Sequence, residues 1–402
     1  SDSSFGSHQV MPYQTLYADS ATYNFGATAF AHTPPTGFKA LNTANLPAPT
    51  VTDPSDFFTA KTLVNGGTPN TSFDTGLDSI GLIMAKRTDD TGGWEWIDIA
   101  RGANALLQTN NNDDEVGKSG LSFSGGTFNI TTTLNLGQAN TSHIVYSLKA
   151  GGSPSTLAVD SISSGVPSIA SSVSAASHGG FSVGTYTGDG GTSAKTVRHG
   201  LSRKPSWVIV KMRSGSGTQT WTTWQENIYA GDSDGYIILS DIAAPTDGAS
   251  FNGVDVTDEV FSVGNDATNQ DGDTFCFWAF AKTPGLIGSG KYIGGGSVFP
   301  TIVIDDGASG FKPAWLMIRR IDAGDEWVVF DSTANPHNNA EKYVSMSYND
   351  AQRTNAAAKV DLFSNGFRPT VNHARVNSGT YIYLAFAENP FGGDGVAQAK
   401  AR

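Results

Sequence analysis

Of 402 residues only 15 % are charged, and acids outnumber bases to give a net charge of −12. That balance argues against nucleic acid as a partner, because phosphates call for a basic surface. No stretch is apolar for long enough to cross a bilayer as a helix, and the single Cys276 excludes an intrachain disulfide framework.

Apolar residues reach 38 % and aromatics 10 %, so the chain has the means to build a core. The 47 glycines and the lack of long helix-period runs point to strands and turns. The chain starts at Ser1 without a methionine or signal peptide, which leads one to expect processing or a piece of a longer polypeptide.

Residues 1–50 stand apart. TYNFGATAF (22–30) reads as one strand with a glycine break, and Pro34, Pro35, Pro47 and Pro49 keep the stretch after it irregular. A lone strand is not stable, so this segment is expected to complete a sheet begun upstream or donated by another chain. Residues 51–152 form a first unit. It holds GLDSIGLIMAKR (76–87), an apolar strand ending in basic residues, then the aromatic WEWIDIARG (94–102). A Phe/Gly segment, GLSFSGGTFNI (120–130), and a closing strand, SHIVYSLKAGG (142–152), complete it. Residues 153–180, Ser/Ala-rich and low in charge, read as an extended linker draped along a neighbouring surface.

The second unit spans 181–286. Its early stretch TGDGGTSAKTVRHGL (187–201) looks like a phosphate loop, but Ala194 stands where G-x-x-x-x-G-K-[ST] needs glycine. The next element is the strand WVIVKM, not a helix whose N-terminus faces phosphate. Gly190 and Gly191 are therefore read as a reversal between strands. The four segments recur as GLSRKPSWVIVKMR (200–213), WTTWQENI (221–228), EVFSVGND (259–266) and TFCFWAFAKTPG (274–285). The third unit, 287–402, repeats them as GFKPAWLMIRR (310–320), EWVVFDST (326–333), LFSNGFRP (362–369) and TYIYLAFAENPF (380–391).

Corresponding strands lie roughly 110–125 residues apart, a domain-sized period. Short strands between Gly/Asn/Asp/Ser turns predict an all-β fold of three tandem antiparallel β-sandwiches, jelly-roll-like. In TYIYLAFAE both alternating faces are apolar, which places the closing strand centrally. The short second junction predicts that units two and three are held more closely than units one and two.

The chemistry-bearing residues are sparse. The seven histidines show no metal-ligand spacing, and His199 is read as part of a turn. Cys276, inside TFCFWAF, is read as a small buried hydrophobe. The runs 110–115 (NNNDDE) and 266–273 (DATNQDGD) are candidate calcium loops, but neither has the EF-hand spacing and solvated loop tips are the favoured reading of both. No catalytic residue, metal site or cofactor is expected. Trp94, Trp221, Trp224 and Trp327, with Asp98, are candidate glycan contacts, since an indole stacks on a sugar ring beside a hydrogen-bonding carboxylate. Their recurrence favours packing, and Trp221, read as non-repeated, is the strongest of them.

YNFGATAFAHTPPTGFKALNTANLP (23–47) resembles the end of SPRY (B30.2-like) domains of bacteriophage virion proteins. It departs from their pattern at Tyr23, Ala27, Ala29 and His32. The downstream units resemble an uncharacterised phage domain that follows such SPRY domains. The likeness rests on His199-Gly200-Leu201 with Pro205 and VIVKMR in unit two, and Arg101-Gly102 with Lys149-Ala150-Gly151-Gly152 in unit one. In unit three it rests on Phe330-Asp331-Ser332 and Asn365-Gly366-Phe367. This resemblance implies a non-enzymatic structural component of a virion surface, a tail fibre or decoration protein assembled in the bacterial cytoplasm. The partners it implies are other virion proteins, copies of itself as a trimer, and a host surface glycan. A carbohydrate-binding receptor module and a polysaccharide depolymerase are the alternatives.

Overall fold

The computed structural model describes residues 22, 24, 28–36, 39–40, 45–46, 48–65, 71–131, 135–191, 194–215, 220–229, 234–252 and 256–391. Of the strand expected over 22–30, residues 22, 24 and 28–30 are described and none of them is in a strand, so the expectation is not met there; 23 and 25–27 lie outside the described residues. Twelve strands carry the architecture, four from each unit. They are β1 (Phe58–Val64), β2 (Leu82–Arg87), β3 (Trp94–Asp98) and β4 (Ser142–Leu148) in the first. The second has β5 (Phe181–Thr187), β6 (Trp207–Ser214), β7 (Trp221–Gln225) and β8 (Thr274–Phe280). The third has β9 (Ile287–Ile293), β10 (Phe311–Arg320), β11 (Val328–Asp331) and β12 (Thr380–Pro390).

All three sheets are antiparallel and share one order: β1-β4-β2-β3, β5-β8-β6-β7 and β9-β12-β10-β11. The registers match too. Leu82 faces Leu148, Trp207 faces Phe280 and Trp315 faces Phe386. Each sheet is backed by a smaller one. In the first unit this is Thr71–Asp74, Leu121–Ser124 and Thr127–Ile130; in the second, Lys195–Arg198 and Val260–Val263. In the third it is Ile302–Val303, Val360–Phe363 and Gly366–Pro369. The chain is therefore an all-β assembly of three sandwiches.

The period-two alternation of each strand feeds two different cores. On β2, Ile83 and Ala85 point into the first unit's own sandwich, while Leu82 and Met84 point the other way. On β8, Phe275, Phe277 and Ala279 fill the second sandwich, and Cys276, Trp278 and Phe280 face away from it. On β12, Tyr381, Tyr383 and Ala385 fill the third, and Ile382, Leu384 and Phe386 face away. The outward sets do not meet solvent. They converge in one central core to which all three units contribute.

Ring contacts tie every pair of units. Trp96 meets Trp278 edge-on at 5.0 Å, Phe58 stacks on Phe386 at 4.8 Å, and Trp207 lies 5.8 Å from Trp327. Burying one such side chain contributes about 2–3 kcal/mol, so the common core dominates the energetics of association.

Two expectations are corrected. The segment 153–180 is not a linker: Ser155–Leu157 and Ser171–Ala175 are strands that extend the second sheet beyond β5, with Ser171 opposite Tyr186. Few charges and a Ser/Val alternation suit an exposed edge, whose unpaired backbone groups such a strand satisfies. Nor is the first unit held more loosely than the others. Its inward face is part of the same core, because Leu82, Met84, Trp94 and Tyr146 are as apolar and as deeply buried as their counterparts. Residues leading into β1 also lock the junction: the Val51 N–H donates to the Pro284 carbonyl at 3.0 Å.

Candidate functional site

Each unit's second strand carries a buried cation near its C-terminal end, before the last residue. Lys86, Lys211 and Arg319 occupy the same register position, opposite Ile144, Cys276 and Ile382, and none is solvent-exposed. Each reaches across to a neighbouring unit's backbone. Lys86 Nζ donates to the carbonyls of Asn349 (3.3 Å) and Asp350 (2.6 Å) in the third unit, and to Gly92 (2.8 Å) in its own. Lys211 Nζ donates to the Asp113 carbonyl of the first unit at 3.0 Å. Arg319 Nη2 donates to the Ala243 carbonyl of the second. The sense is cyclic: first to third, second to first, third to second. Burial pulls both ammonium groups down to about 8 and the Arg319 guanidinium to about 10.

The tryptophans expected to meet a glycan belong to this seam. Trp94 and Trp221 pair with Lys86 and Lys211 in register, and the Arg319 guanidinium lies 5.3 Å over the Trp327 ring. Their indole N–H groups repeat the cycle. Trp94 donates to Ser345 O (2.6 Å), Trp221 to Gln108 O (3.0 Å) and Trp327 to Ile238 O (3.0 Å). All three rings are 0 % exposed, and Trp224 lies in the second sandwich core. None can stack on a surface sugar, and Trp221 is the repeated residue, not the odd one out. Asp98 is also buried. It holds Arg101 at 2.7 Å, and Arg101 reaches Glu115 at 3.2 Å. Burial opposes the Arg101 charge, but Asp98, with Cys276 and Glu115 behind it, raises its pKa above the ordinary arginine value.

The acidic loop 110–115 exposes Asn112, Asp113 and Asp114, as a solvated tip does, and joins the seam through Glu115. Glu115 bridges Arg101 of its own unit and Arg213 of the second, the latter at 2.7 Å. Burial would raise its pKa, yet the two guanidinium groups hold it below the usual carboxylate value. In the other run, Asp266–Asn269 forms a one-turn helix, α1, and Asn269 Nδ2 donates to Asp189 at 2.9 Å. Among the described residues no group of three or more His, Cys, Asp or Glu converges as metal ligands.

His199 is a built-in turn element. Its Nε2 lies 3.2 Å from Thr257 O and its Nδ1 accepts the Leu201 N–H at 3.2 Å, with Gly200 between at φ +74°. Burial presses its pKa to about 4. Cys276 is buried, and desolvation raises its thiol to about 12; it is a core residue.

One open feature was not legible in the sequence. A groove of about 470 Å³ lies on the second unit, between Tyr236–Thr246 on one side and Ser250, Asn265 and Ala267 on the other. Its walls are fixed. Tyr236 and Thr246 exchange two backbone bonds at 2.9 and 2.8 Å, and Asn265 Nδ2 donates to Ser250 Oγ at 3.0 Å. A β-carbon on Gly264 would fall 2.3 Å from Asn252 Cβ; glycine there lets the 248–252 loop lie against the start of α1. Apart from Asn265 and Asp266, which end the repeated segment EVFSVGND, the wall residues lie outside the repeated motifs, and only their turn-like composition marks them.

These features define an all-β protein in which three like sandwiches close cyclically on one core. A family described as a domain of unknown function, DUF7483, matches residues 53–390, and the chain belongs to it. That span covers all three sandwiches, as the common core requires. No curated protein and no solved structure shows detectable similarity to the chain.

Proposed function

We propose that this chain is a non-enzymatic structural component of a bacteriophage particle, displayed at the virion surface on a tail fibre or as a decoration. Its work on this reading is assembly or host attachment. The supporting observation is where its aromatic and cationic residues go: the repeated Trp94, Trp221 and Trp327, with Lys86, Lys211 and Arg319, all fasten unit to unit. A body so fastened suits load-bearing display, and the SPRY-like stretch at 23–47 supports the virion context. Its partners are other virion proteins, and a trimer of chains is the expected assembly in a fibre.

The test is location. Purified particles are probed by mass spectrometry and by antibody labelling in electron micrographs. Label at a tail or capsid surface supports the reading, and absence of the chain from intact particles sinks it. Recognition of a host glycan is the second reading. The buried tryptophans do not favour it, but the groove beside α1 does.

A further inference from the structure

We infer that the groove beside α1 binds an uncharged glycan, with Tyr236 as its stacking face and Asp241 and Asp266 as acceptors for sugar hydroxyls. The inference deepens the attachment reading and supplies the host-facing contact that the tryptophans cannot.

Four observations carry it. The groove's volume, about 470 Å³, gives room for a short oligosaccharide and falls within the ~300–1,000 Å³ range of ligand sites. Its lining mixes apolar patches at Ile238 and Ala267 with the hydroxyls of Thr220, Thr246 and Ser250. That mixture matches a pyranose, which has C–H faces and a hydroxyl rim. Tyr236 is half-buried, and a β-carbon at Gly248 would stand 3.3 Å from its Cε1, so glycine leaves that ring edge uncovered. Asp241 Oδ1 accepts the N–H groups of Ile242 and Ala243, which orients the carboxylate and, among the described residues, leaves Oδ2 for a ligand.

Charge selects among sugars. Asp241 and Asp266 are both exposed, and no Lys, Arg or His stands among the described residues lining the groove. Uronic or sulfated sugars would meet like charge here, and neutral hydroxyls would meet acceptors. The walls are preorganised through Ser250, which accepts from Asn265 through its hydroxyl and from Thr268 through its carbonyl, so little ordering cost opposes binding.

The test uses the whole chain in calorimetric titrations against neutral gluco-, galacto- and manno-oligosaccharides, their uronate and sulfated counterparts, and calcium chloride alone. The expected result is saturable binding of a neutral member, with its anionic counterpart at least about tenfold weaker. Tyr236→Ala should weaken it about tenfold, and Asp266→Asn about fivefold with an unchanged melting temperature. Should Tyr236→Ala fail to fold, Tyr236→Trp takes its place and should retain binding. The proposal is overturned by no binding to any neutral member, by equal or better binding of the anionic sugars, or by binding of calcium alone. It is equally overturned if folded Tyr236→Ala and Asp266→Asn both bind as the parent does. A chain found on particles that binds no sugar ends this proposal and leaves the structural reading standing; a sugar-binding chain missing from particles does the reverse.

Discussion

Lys211 Nζ of the second unit donates to the carbonyl oxygen of Asp113 in the first at 3.0 Å, from a position with no solvent exposure. The same ammonium also donates to Met212 O at 2.8 Å. A buried cation is costly unless its protons are taken up, and here backbone carbonyls of two units take them. Lys211→Ala, which removes the donor and leaves a void, should cost about 2–4 kcal/mol. Lys211→Met keeps the volume and should cost about 1–2 kcal/mol. The corresponding Lys86 substitutions should cost more, because Lys86 serves a larger set of carbonyls. Urea unfolding midpoints read the series; a methionine variant more stable than the parent would show that the seam does not depend on the cation.

Buried histidines set an acid limit. Burial holds His143 and His199 at about 4, against an unfolded value near 6.5. Their contribution to stability is therefore complete above about pH 6.5 and falls as pH drops toward 4, where the unfolded chain binds protons that the folded chain refuses. Each can account for roughly 3 kcal/mol across that window, so the melting temperature should fall steeply between pH 6.5 and 4.5.

The two residues should differ when replaced. Neither nitrogen of His143 meets a hydrogen-bond partner among the described residues; the groups bearing on it are Asp89, Arg87 and Lys86. His143→Leu should flatten part of the acid slope at little cost near neutrality. His199→Leu should cost stability at every pH, since it abandons Thr257 and Leu201. Equal behaviour of the two variants would contradict these separate roles.

Removing the Trp221 indole tests whether that residue is a clamp or a ligand contact. Trp221→Phe retains a ring but loses the N–H that donates to Gln108 O and Asn111 O, and should cost about 1–3 kcal/mol. Asp98→Ala, which leaves buried Arg101 with Glu115 as its remaining carboxylate partner beside the Trp96 carbonyl, should cost about 3–5 kcal/mol. Measured at a temperature where both variants are folded, any saccharide affinity of the chain should match the parent's. A selective loss of affinity without loss of stability would return these residues to a binding role.

Much of this architecture can be read from residues. The alternation in TYIYLAFAE announces a strand with two apolar faces, and the repeated segments announce three like units with strands at matching places. The same string does not say what covers the second face. A central strand under another layer and a strand turned toward two sister units have identical alternation, because burial leaves the same mark whatever supplies it. The clue lay in the basic strand ends. Lys86, Lys211 and Arg319 recur in otherwise buried strands, and a cation repeated at a buried register position needs an acceptor from outside its own sheet. The groove at Tyr236 left no such mark. Its walls come from 234–246, 248–252 and α1, and chain folding alone brings them together.

The common core makes a last prediction about cooperativity. Cutting out residues 51–152 would expose Leu82, Met84, Trp94, Trp96, Ile144, Tyr146 and Leu148 on one face of one sheet. That face is the inner half of a core, and at about 2–3 kcal/mol for each large side chain its loss exceeds the roughly 5–15 kcal/mol that typically holds a domain folded. The isolated unit should therefore be unfolded or aggregated. Residues 51–391 should instead melt in one transition, with tryptophan fluorescence, far-ultraviolet circular dichroism and calorimetry coincident. Trp278→Ala, in the second unit, should lower that single midpoint for all three probes by an amount corresponding to about 3–5 kcal/mol. Three resolved transitions, or a first unit that folds by itself with a sharp melt, would mean that the sandwiches are independent and that the central contacts contribute little.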